Sequence, residues 1–373
     1  MNIVEFTAGS LRFLDAVPSQ APGDGFVWIH LERADFAARL PELQAVAQRL
    51  GGASLLDVHA KDLANEAHPS GFDGTSIYDL VIFRRLVTQA EAASAAADAP
   101  DARRALGVFA RIDSRAVGFA LFDRLLISVH PPGCHVPVGF IERMVADARL
   151  AVDVLAARQR LPQGPVDLAL QMINAMVDGY LELRKDLTRA LELAQGVLLR
   201  ANPRQGTWPA LMQARQRLHL LQELCEEQQD AMQEWLDELR ELPLATFADD
   251  ALQAQLRRDQ LVARARDVSE HIDRVLHHSR RLEQSAETAV QLHFSAQGQR
   301  TNDTMRTLTA ITAVFLPLNL FTGFFGMNFQ HLPLIHSVEG MWGALLFLVL
   351  LAAGILVLFW RRRYLRHEGD DPA

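Results

Sequence analysis

Three groups of residues in this sequence have types and spacings that could act on a cation. Near the C-terminus Gly326-Met327-Asn328 closes an apolar run, offering the oxygen of the Asn328 carboxamide at its end. Within that run Met305, Leu308, Thr312, Leu316, Asn319 and Gly323 recur at steps of three and four, which puts them on one helical face. Polar Thr309, Thr312, Asn319 and Thr322 in such a setting either glue helix to helix, with close packing at Gly323, or face a bundle interior. The third group is Asp267, Glu270 and His271 within one helical turn, with Asp273 and His277 four apart just beyond. Carboxylate and imidazole donors suit a divalent cation. The alternative is a solvated face whose acids pair with Arg264, Arg266 and Arg274. His59 and His130 have no spaced partner and read as structural histidines.

The elements that must position these residues begin with two apolar runs, Leu308 to Phe325 and Met341 to Trp360. Each is long enough to cross a bilayer core of about 30 Å as a helix. No Lys or Arg lies between Arg306 and Arg361, whereas Arg361, Arg362, Arg363 and Arg366 crowd the far end. The positive-inside rule then puts both chain ends in the cytoplasm and the Gly-Met-Asn loop outside. Upstream, the expectation is one continuous helix from near Phe247 into the first run. At about 1.5 Å per residue it would reach roughly 115 Å, a length suited to a stalk. Leu261, Ala265, Val268, Ile272, Val275, Ser279, Leu282, Ala286 and Ala289 form a heptad-like seam along it, packing either between subunits around an axis or within one subunit. Two further helices precede it, Pro165 to Arg200 and Trp208 to Leu242. The second carries Glu223, Glu226, Glu227, Asp230, Glu234, Asp237, Glu238 and Glu241, a cation-attracting or merely solvated surface.

Residues 1 to about 160 alternate strand-like and helix-like runs, the pattern of an α/β domain. Gly25 to Leu31, Ser76 to Phe83, Ala116 to Phe122 and Arg124 to His130 read as strands, Ala34 to Gln48 as a helix, and Ala90 to Ala105 as an exposed loop. Met1 to Leu14, with acidic Glu5 and no long apolar core, is not a secretory signal. With 49% apolar residues the chain can bury a large core, and its net charge of −8 argues against nucleic-acid binding. Two cysteines, Cys134 and Cys225, supply neither a disulfide framework nor a thiolate zinc cage. No phosphate-binding glycine loop, zinc-protease motif or nucleophile elbow is present, so an enzyme is not expected, nor an organic cofactor.

Gly326-Met327-Asn328 at the outer end of the first of two C-terminal helices resembles the signature of the CorA family of divalent-cation channels. Asn302-Asp303-Thr304-Met305, Phe315-Leu316-Pro317-Leu318 and Leu332-Pro333 stand in the matching places. Weaker similarity runs through Leu56-Asp57-Val58-His59, Leu126 to His130 and Val177-Asp178-Gly179-Tyr180. The resemblance implies an α+β membrane protein: a cytoplasmic α/β domain over 1–163, a helical stalk or funnel over 164–304, and a first transmembrane helix with the signature over 305–328. An external loop over 329–340, a second transmembrane helix over 341–360 and a basic cytoplasmic tail over 361–373 complete it. It further implies a homopentamer in a bacterial-type inner membrane, carrying Mg2+ or Zn2+, with Co2+ or Ni2+ as further candidates. Gly326, Met327 and Asn328 become the selectivity entrance, and Met305, Leu308, Thr312, Leu316 and Asn319 the pore lining and gate. Asp267, Glu270 and His271 fall where the family holds a regulatory ion. The run Leu332-Pro333-Leu334-Ile335 lacks the acidic residue of many magnesium transporters, and His331 and His336 stand nearby. That departure keeps a ZntB-like, proton-coupled zinc transporter open. A membrane-anchored coiled-coil scaffold or metal sensor is the non-conducting alternative.

Overall fold

The computed structural model describes residues 1–7, 10–87, 107–134, 137, 139–142, 144, 161–198, 207–243, 250–327 and 338–361. The chain divides into two units, Met1–Ala289 and Val290–Ala373. The first is built on a seven-stranded sheet in the order β2-β1-β3-β7-β6-β5-β4. Its strands are β1 (Asn2–Thr7), β2 (Ser10–Leu14), β3 (Gly25–Glu32), β4 (Gly71–Gly74), β5 (Asp79–Leu86), β6 (Ser114–Leu121) and β7 (Leu125–His130). Only β3 and β7 pair in parallel; the other neighbours are antiparallel.

The sheet centre is covered on both faces, so its strands read as unbroken apolar runs rather than alternating ones. All six residues of β7 are buried. On one face Ile29, Leu31, Ile127, Val129 and Ile82 meet Phe36, Leu43 and Val46 of α1 (Arg33–Val46) and Leu63 of α2 (Asp57–Ala64). Here a Cβ at Gly118 would lie 2.3 Å from a Leu63 methyl, so glycine is what lets α2 sit directly on β6. A π-helical turn, Ala47–Gly51, ends α1, and Gly52 stops it in the left-handed conformation (φ 88°). The other face carries a polar thread among aromatics. The Trp28 indole N–H donates to Ser128 Oγ (2.8 Å), which sits 2.8 Å from His130 Nε2. A hydroxyl that donates to that nitrogen requires the neutral imidazole, while the Trp28 bond is compatible with either state.

Several expected boundaries shift. The strand expected from Ser76 starts at Asp79, because Thr75 Oγ1 accepts the backbone N–H groups of Ile77 and Tyr78 and folds 75–78 into a turn. The hairpin β1–β2 and the short β4 were given no element in the sequence. Each is too brief for its period to declare itself. Ala90 to Ala105 lies outside the described residues.

Three long helices follow: α3 (Pro165–Leu198), α4 (Thr207–Glu241) and the 75-residue α5 (Ala251–Phe325). The seam is filled within the chain. Ala265, Val268, Ile272, Val275, Ser279, Leu282, Ala286 and Ala289 are buried. Polar ties fix their register: Ser279 Oγ donates to the Leu218 carbonyl (3.1 Å), Gln229 Nε2 to Ser269 Oγ (3.0 Å), and Gln195 Nε2 to Ser285 Oγ (2.9 Å). Sheet and helices join at the Arg84 carbonyl, which accepts both the Tyr180 hydroxyl (2.9 Å) and the Gln228 amide (2.7 Å). Gln228 also reaches the Tyr180 oxygen at 2.8 Å.

In the second unit α5 ends at Phe325, running through Pro317, and α6 covers Val338–Arg361. Phe321 and Phe347 bring the two helices together with ring centroids 5.0 Å apart. Among the described residues α5 is the one helix long and apolar enough to cross a membrane; Trp342–Ile355 within α6 is a shorter apolar stretch.

Two predictions follow from the first unit. Gln228→Leu keeps the volume but leaves the Tyr180 oxygen without its donor, a loss of about 1–3 kcal/mol. Thermal melts should show it, with less than additive loss in the Gln228→Leu/Tyr180→Phe double variant, since the two share one acceptor. The second concerns acid. Burial lowers the His30 pKa to about 4 and holds that of His130 well below the ordinary value. The unfolded chain therefore binds protons near pH 6.5 that the folded chain refuses until lower pH. Stability is full above pH 6.5 and falls between pH 6.5 and 4, by about 3 kcal/mol for His30 alone at about 1.4 kcal/mol per pKa unit. Melting midpoints at pH 7.5 and 5 should differ less in His30→Leu than in the native chain.

Candidate metal-handling sites

Local sequence makes the end of α5 an exposed apolar rod. Met305, Leu308, Leu316 and Leu320 are 58%, 58%, 69% and 76% exposed, whereas Ala310 is buried at 5%. Met305, Leu308, Thr312, Leu316 and Asn319 therefore all sit on surface that the described residues leave uncovered. The threonines do not need an outside partner for their protons. Thr309 donates to the Met305 carbonyl (2.7 Å), Thr312 to that of Leu308 (2.9 Å) and Thr322 to that of Leu318 (3.0 Å). Back-bonding of this kind is the ordinary way for a hydroxyl to live in an apolar helix, and it leaves an oxygen lone pair facing outward.

The helix closes at Gly326, whose N–H donates to the Thr322 carbonyl (2.9 Å), followed by Met327 N–H to Phe324 O (3.3 Å). Gly326 sits in this closing turn without a left-handed backbone; a Cβ there would lie 3.1 Å from the Thr322 carbonyl oxygen, so the residue is small to spare a backbone contact. Gly323, where one of the two alternatives put close helix packing, has no described residue within 4 Å of where a Cβ would stand. Asn328, the loop residues His331, Leu332, Pro333, Leu334, Ile335 and His336, and the tail from Arg362 onward lie outside the described residues.

In the first unit α3 and α5 bring a second group together. His271 lies between two carboxylates, its Nδ1 3.7 Å from Asp178 and its Nε2 3.5 Å from Asp267. The imidazole is largely covered, at 17% exposure, while both carboxylates are about half exposed. Beside them is a cavity of about 270 Å3 lined by Phe140, Asn174, Asp178, Arg264 and Asp267. The Asn174 side-chain oxygen is buried with no hydrogen-bond partner. Glu270 stands apart from this group, exposed and 3.9 Å from Arg274. Arg264, read as a screening partner for the acids, is instead held by Asp167 at 3.0 Å. Two carboxylates, an imidazole and an orphan carboxamide oxygen form a donor set of the right chemistry for a divalent cation. Among the described residues, however, no three His, Cys, Asp or Glu side chains converge tightly enough to hold a metal ion by themselves. Asp178 and Asn174 escaped the sequence reading as ligands because they sit some 90 residues upstream on another helix; nothing local marks them.

Other candidates have partners within the chain. His59 places Nδ1 2.8 Å from the Tyr78 hydroxyl and Nε2 2.9 Å from Asp73, so both ring nitrogens are occupied in a buried network. Along the acidic face of α4, Glu226 pairs with Arg280 (2.6 Å), and Glu227 lies 3.4 Å from the Ser70 N–H.

Comparison with known proteins places these features in context. The family model described as CorA-like Mg2+ transporter protein matches residues 23–363. The cobalt/magnesium transport protein CorA of Thermotoga maritima is 23% identical over 198 residues, 52% of this chain and 51% of that protein. The chain thus matches about half the length of that curated relative. The complete structure of the CorA magnesium transporter from Methanocaldococcus jannaschii superposes with a TM-score of 0.71 at 15% identity, covering 97% of this chain and 98% of that one. The full-length CmaX protein superposes at 0.58 and 19% identity, covering 97% of each chain. At these identities the two structures speak for the fold.

Proposed function

This chain belongs to the CorA-like Mg2+ transporter family, and from that premise we propose that several copies, five by resemblance, surround an axis and conduct divalent cations across a bacterial-type inner membrane. The supporting observation is the uncovered stripe on α5: apolar Met305, Leu308 and Leu316 alternate with Thr312 and Asn319 on a face that no part of the described chain occupies. Residues 305–328 and 341–360 are the two membrane-crossing segments of this proposal, joined by the outer loop 329–340, with both chain ends cytoplasmic.

The cation arrives hydrated. Mg2+ gives up water reluctantly and is usually held through several of its waters. A ring of Asn328 oxygens would accept hydrogen bonds from those waters without the deep trap of a carboxylate ring. Gly326 and Met327 shape that entrance. Inward, rings of Leu316, Leu308 and Met305 form a dry constriction that opens by wetting, while Asn319 provides a polar step before Leu316 and the outward lone pair of Thr312 one between Leu316 and Leu308. The membrane potential supplies the drive, about 2.3 kcal/mol per charge per 100 mV and twice that for a divalent ion.

The cytoplasmic control site of this proposal consists of Asp267, Asp178 and His271 with the Asn174 oxygen; Glu270 completes it only by turning from Arg274. A regulatory divalent cation there supplies positive charge that quiets the repulsion between the acids. The chain's own donors form a partial shell, so water or a neighbouring subunit contributes the remainder. His271 favours a transition metal over Mg2+ at this point; the second reading, a zinc-transporting branch of the family, rests on the outer loop, where Leu332-Pro333-Leu334-Ile335 lacks an acidic residue and His331 and His336 stand nearby.

Uptake into proteoliposomes, comparing Mg2+ with Zn2+ with and without an inward proton gradient, tests the reading. Voltage-driven Mg2+ entry indifferent to pH is expected, abolished in Asn328→Ala with assembly intact. Normal flux in that variant would remove the entrance role, and Zn2+ entry that rises with the proton gradient would establish the second branch. For the control site, Asp267→Ala and Asp178→Ala should each raise by several-fold the metal concentration needed to protect the helices from protease. Unchanged protection in both would mean the acids are merely solvated.

A further inference from the structure

A second cavity lies close by, where the start of α3, the end of α4 and the start of α5 meet the sheet. It too measures about 270 Å3, and its walls mix two chemistries. Phe122, Ile77, Leu239, Leu242 and Leu261 give it apolar lining. Phe122 is stacked there on Tyr78, ring centroids 4.7 Å apart. Acidic groups line it too. Asp79 opens β5, Asp123 sits in the β6–β7 turn, and both face the cavity. Glu238 of α4 is close enough to act on Asp79 electrostatically. Asp167 of α3 also lines the cavity, but Arg264 neutralises it at 3.0 Å. One cation, Arg257 of α5, enters the wall.

We propose that this cavity binds a small organic cation, an ammonium on a short apolar body, with its charge toward Asp79 and Asp123 and its body on Phe122, Leu239 and Leu261. Size and lining suit such a guest, since small-molecule sites are concave, mostly apolar and oriented by a few polar groups. Charge complementarity selects its sign. Burial raises the Asp79 pKa to about 6, with Glu238 and Asp123 adding to it, so the carboxylate is held in an environment that wants positive charge. A bare metal ion is the poorer guest, because among the described residues no three ligating side chains converge on a point. An ammonium needs no such convergence; it can hydrogen-bond to one carboxylate and be attracted by the others. The occupant would tie the end of the sheet to the first turns of α5 through Leu261.

Equilibrium dialysis of radiolabelled hexylamine against the full chain in lipid nanodiscs tests this, with empty nanodiscs correcting for partition into lipid. At pH 7.5 one saturable site per chain is expected, with hexanol and hexanoate failing to compete. Asp79→Asn should weaken binding at least tenfold. Lowering the pH to 5 should also weaken it, as Asp79 takes up a proton. Asp123→Asn, at an exposed turn, should weaken it several-fold and carries the test if the Asp79 variant fails to fold. Equal binding by both variants, or competition by hexanol as strong as by the amine, would overturn the proposal. Competition by hexanoate would assign the site to anions through Arg257, and displacement by MgCl2 at equal concentration would make it a metal site.

Discussion

The Arg84 carbonyl is the point on which the first unit hangs. It is one acceptor on β5, the strand next to the sheet edge, and the Tyr180 hydroxyl from α3 and the Gln228 amide from α4 both end on it. Arg84's own side chain holds the strand's surroundings in place, donating to the Glu66 and His68 carbonyls and to Ser114. Apolar packing between sheet and helices is strong but has no direction. The three-way hydrogen bond supplies the direction, since a buried donor or acceptor that loses its partner costs more than the bond gains. Slide α3 or α4 by one residue and Tyr180 or Gln228 is stranded in the core. The position of His271, Asp178 and the acidic cavity relative to the sheet follows from that register.

α5 carries two different solvents along one helix. From Ala265 to Ala289 its small and branched residues are buried against α3 and α4 of the same chain. Beyond Ala289 that cover ends, and Met305, Leu308, Ile311, Phe315, Leu316 and Leu320 are exposed. Soluble chains rarely leave contiguous apolar patches of more than a few hundred Å2 uncovered. Such a surface asks for lipid, for other copies of the chain, or for both. Pro317 stands in the middle of it, where its missing N–H frees a carbonyl one turn back, yet the helix passes through.

Much of this was legible from residue order alone. Val27-Trp28-Ile29 and Ile127-Ser128-Val129 declared buried strands because both sheet faces are covered, and the prolines at 165 and 243 marked helix limits where the structure has them. The apolar runs Leu308 to Phe325 and Met341 to Trp360 lie within the second unit. What escaped had a common cause. Thr75 captures two backbone N–H groups and delays β5, a local bond that outweighs the β-like run Ser76-Ile77-Tyr78. The heptad seam could not say whether its partner was another subunit or this one, because the period encodes a buried stripe and not what buries it. Asp178 and Asn174 became candidates only when α3 came to lie beside α5.

The way the seam is filled constrains any control exerted through His271. Because Ala265 to Ala289 is locked against α3 and α4 by Ser279, Ser269 and Ser285, a change in charge at Asp267 does not loosen α5 by itself. Asp178 lies on α3, so the charges that would repel belong to two helices already bound by a shared core. Repulsion between two half-exposed carboxylates amounts to roughly 1 kcal/mol or less in a solvated setting, too little to pull a buried seam apart. A divalent ion at this site would therefore act on the three helices as one body, and the work of a transition would be done where that body meets another subunit. Weak charge terms decide such an equilibrium only when several copies move together and their contributions add.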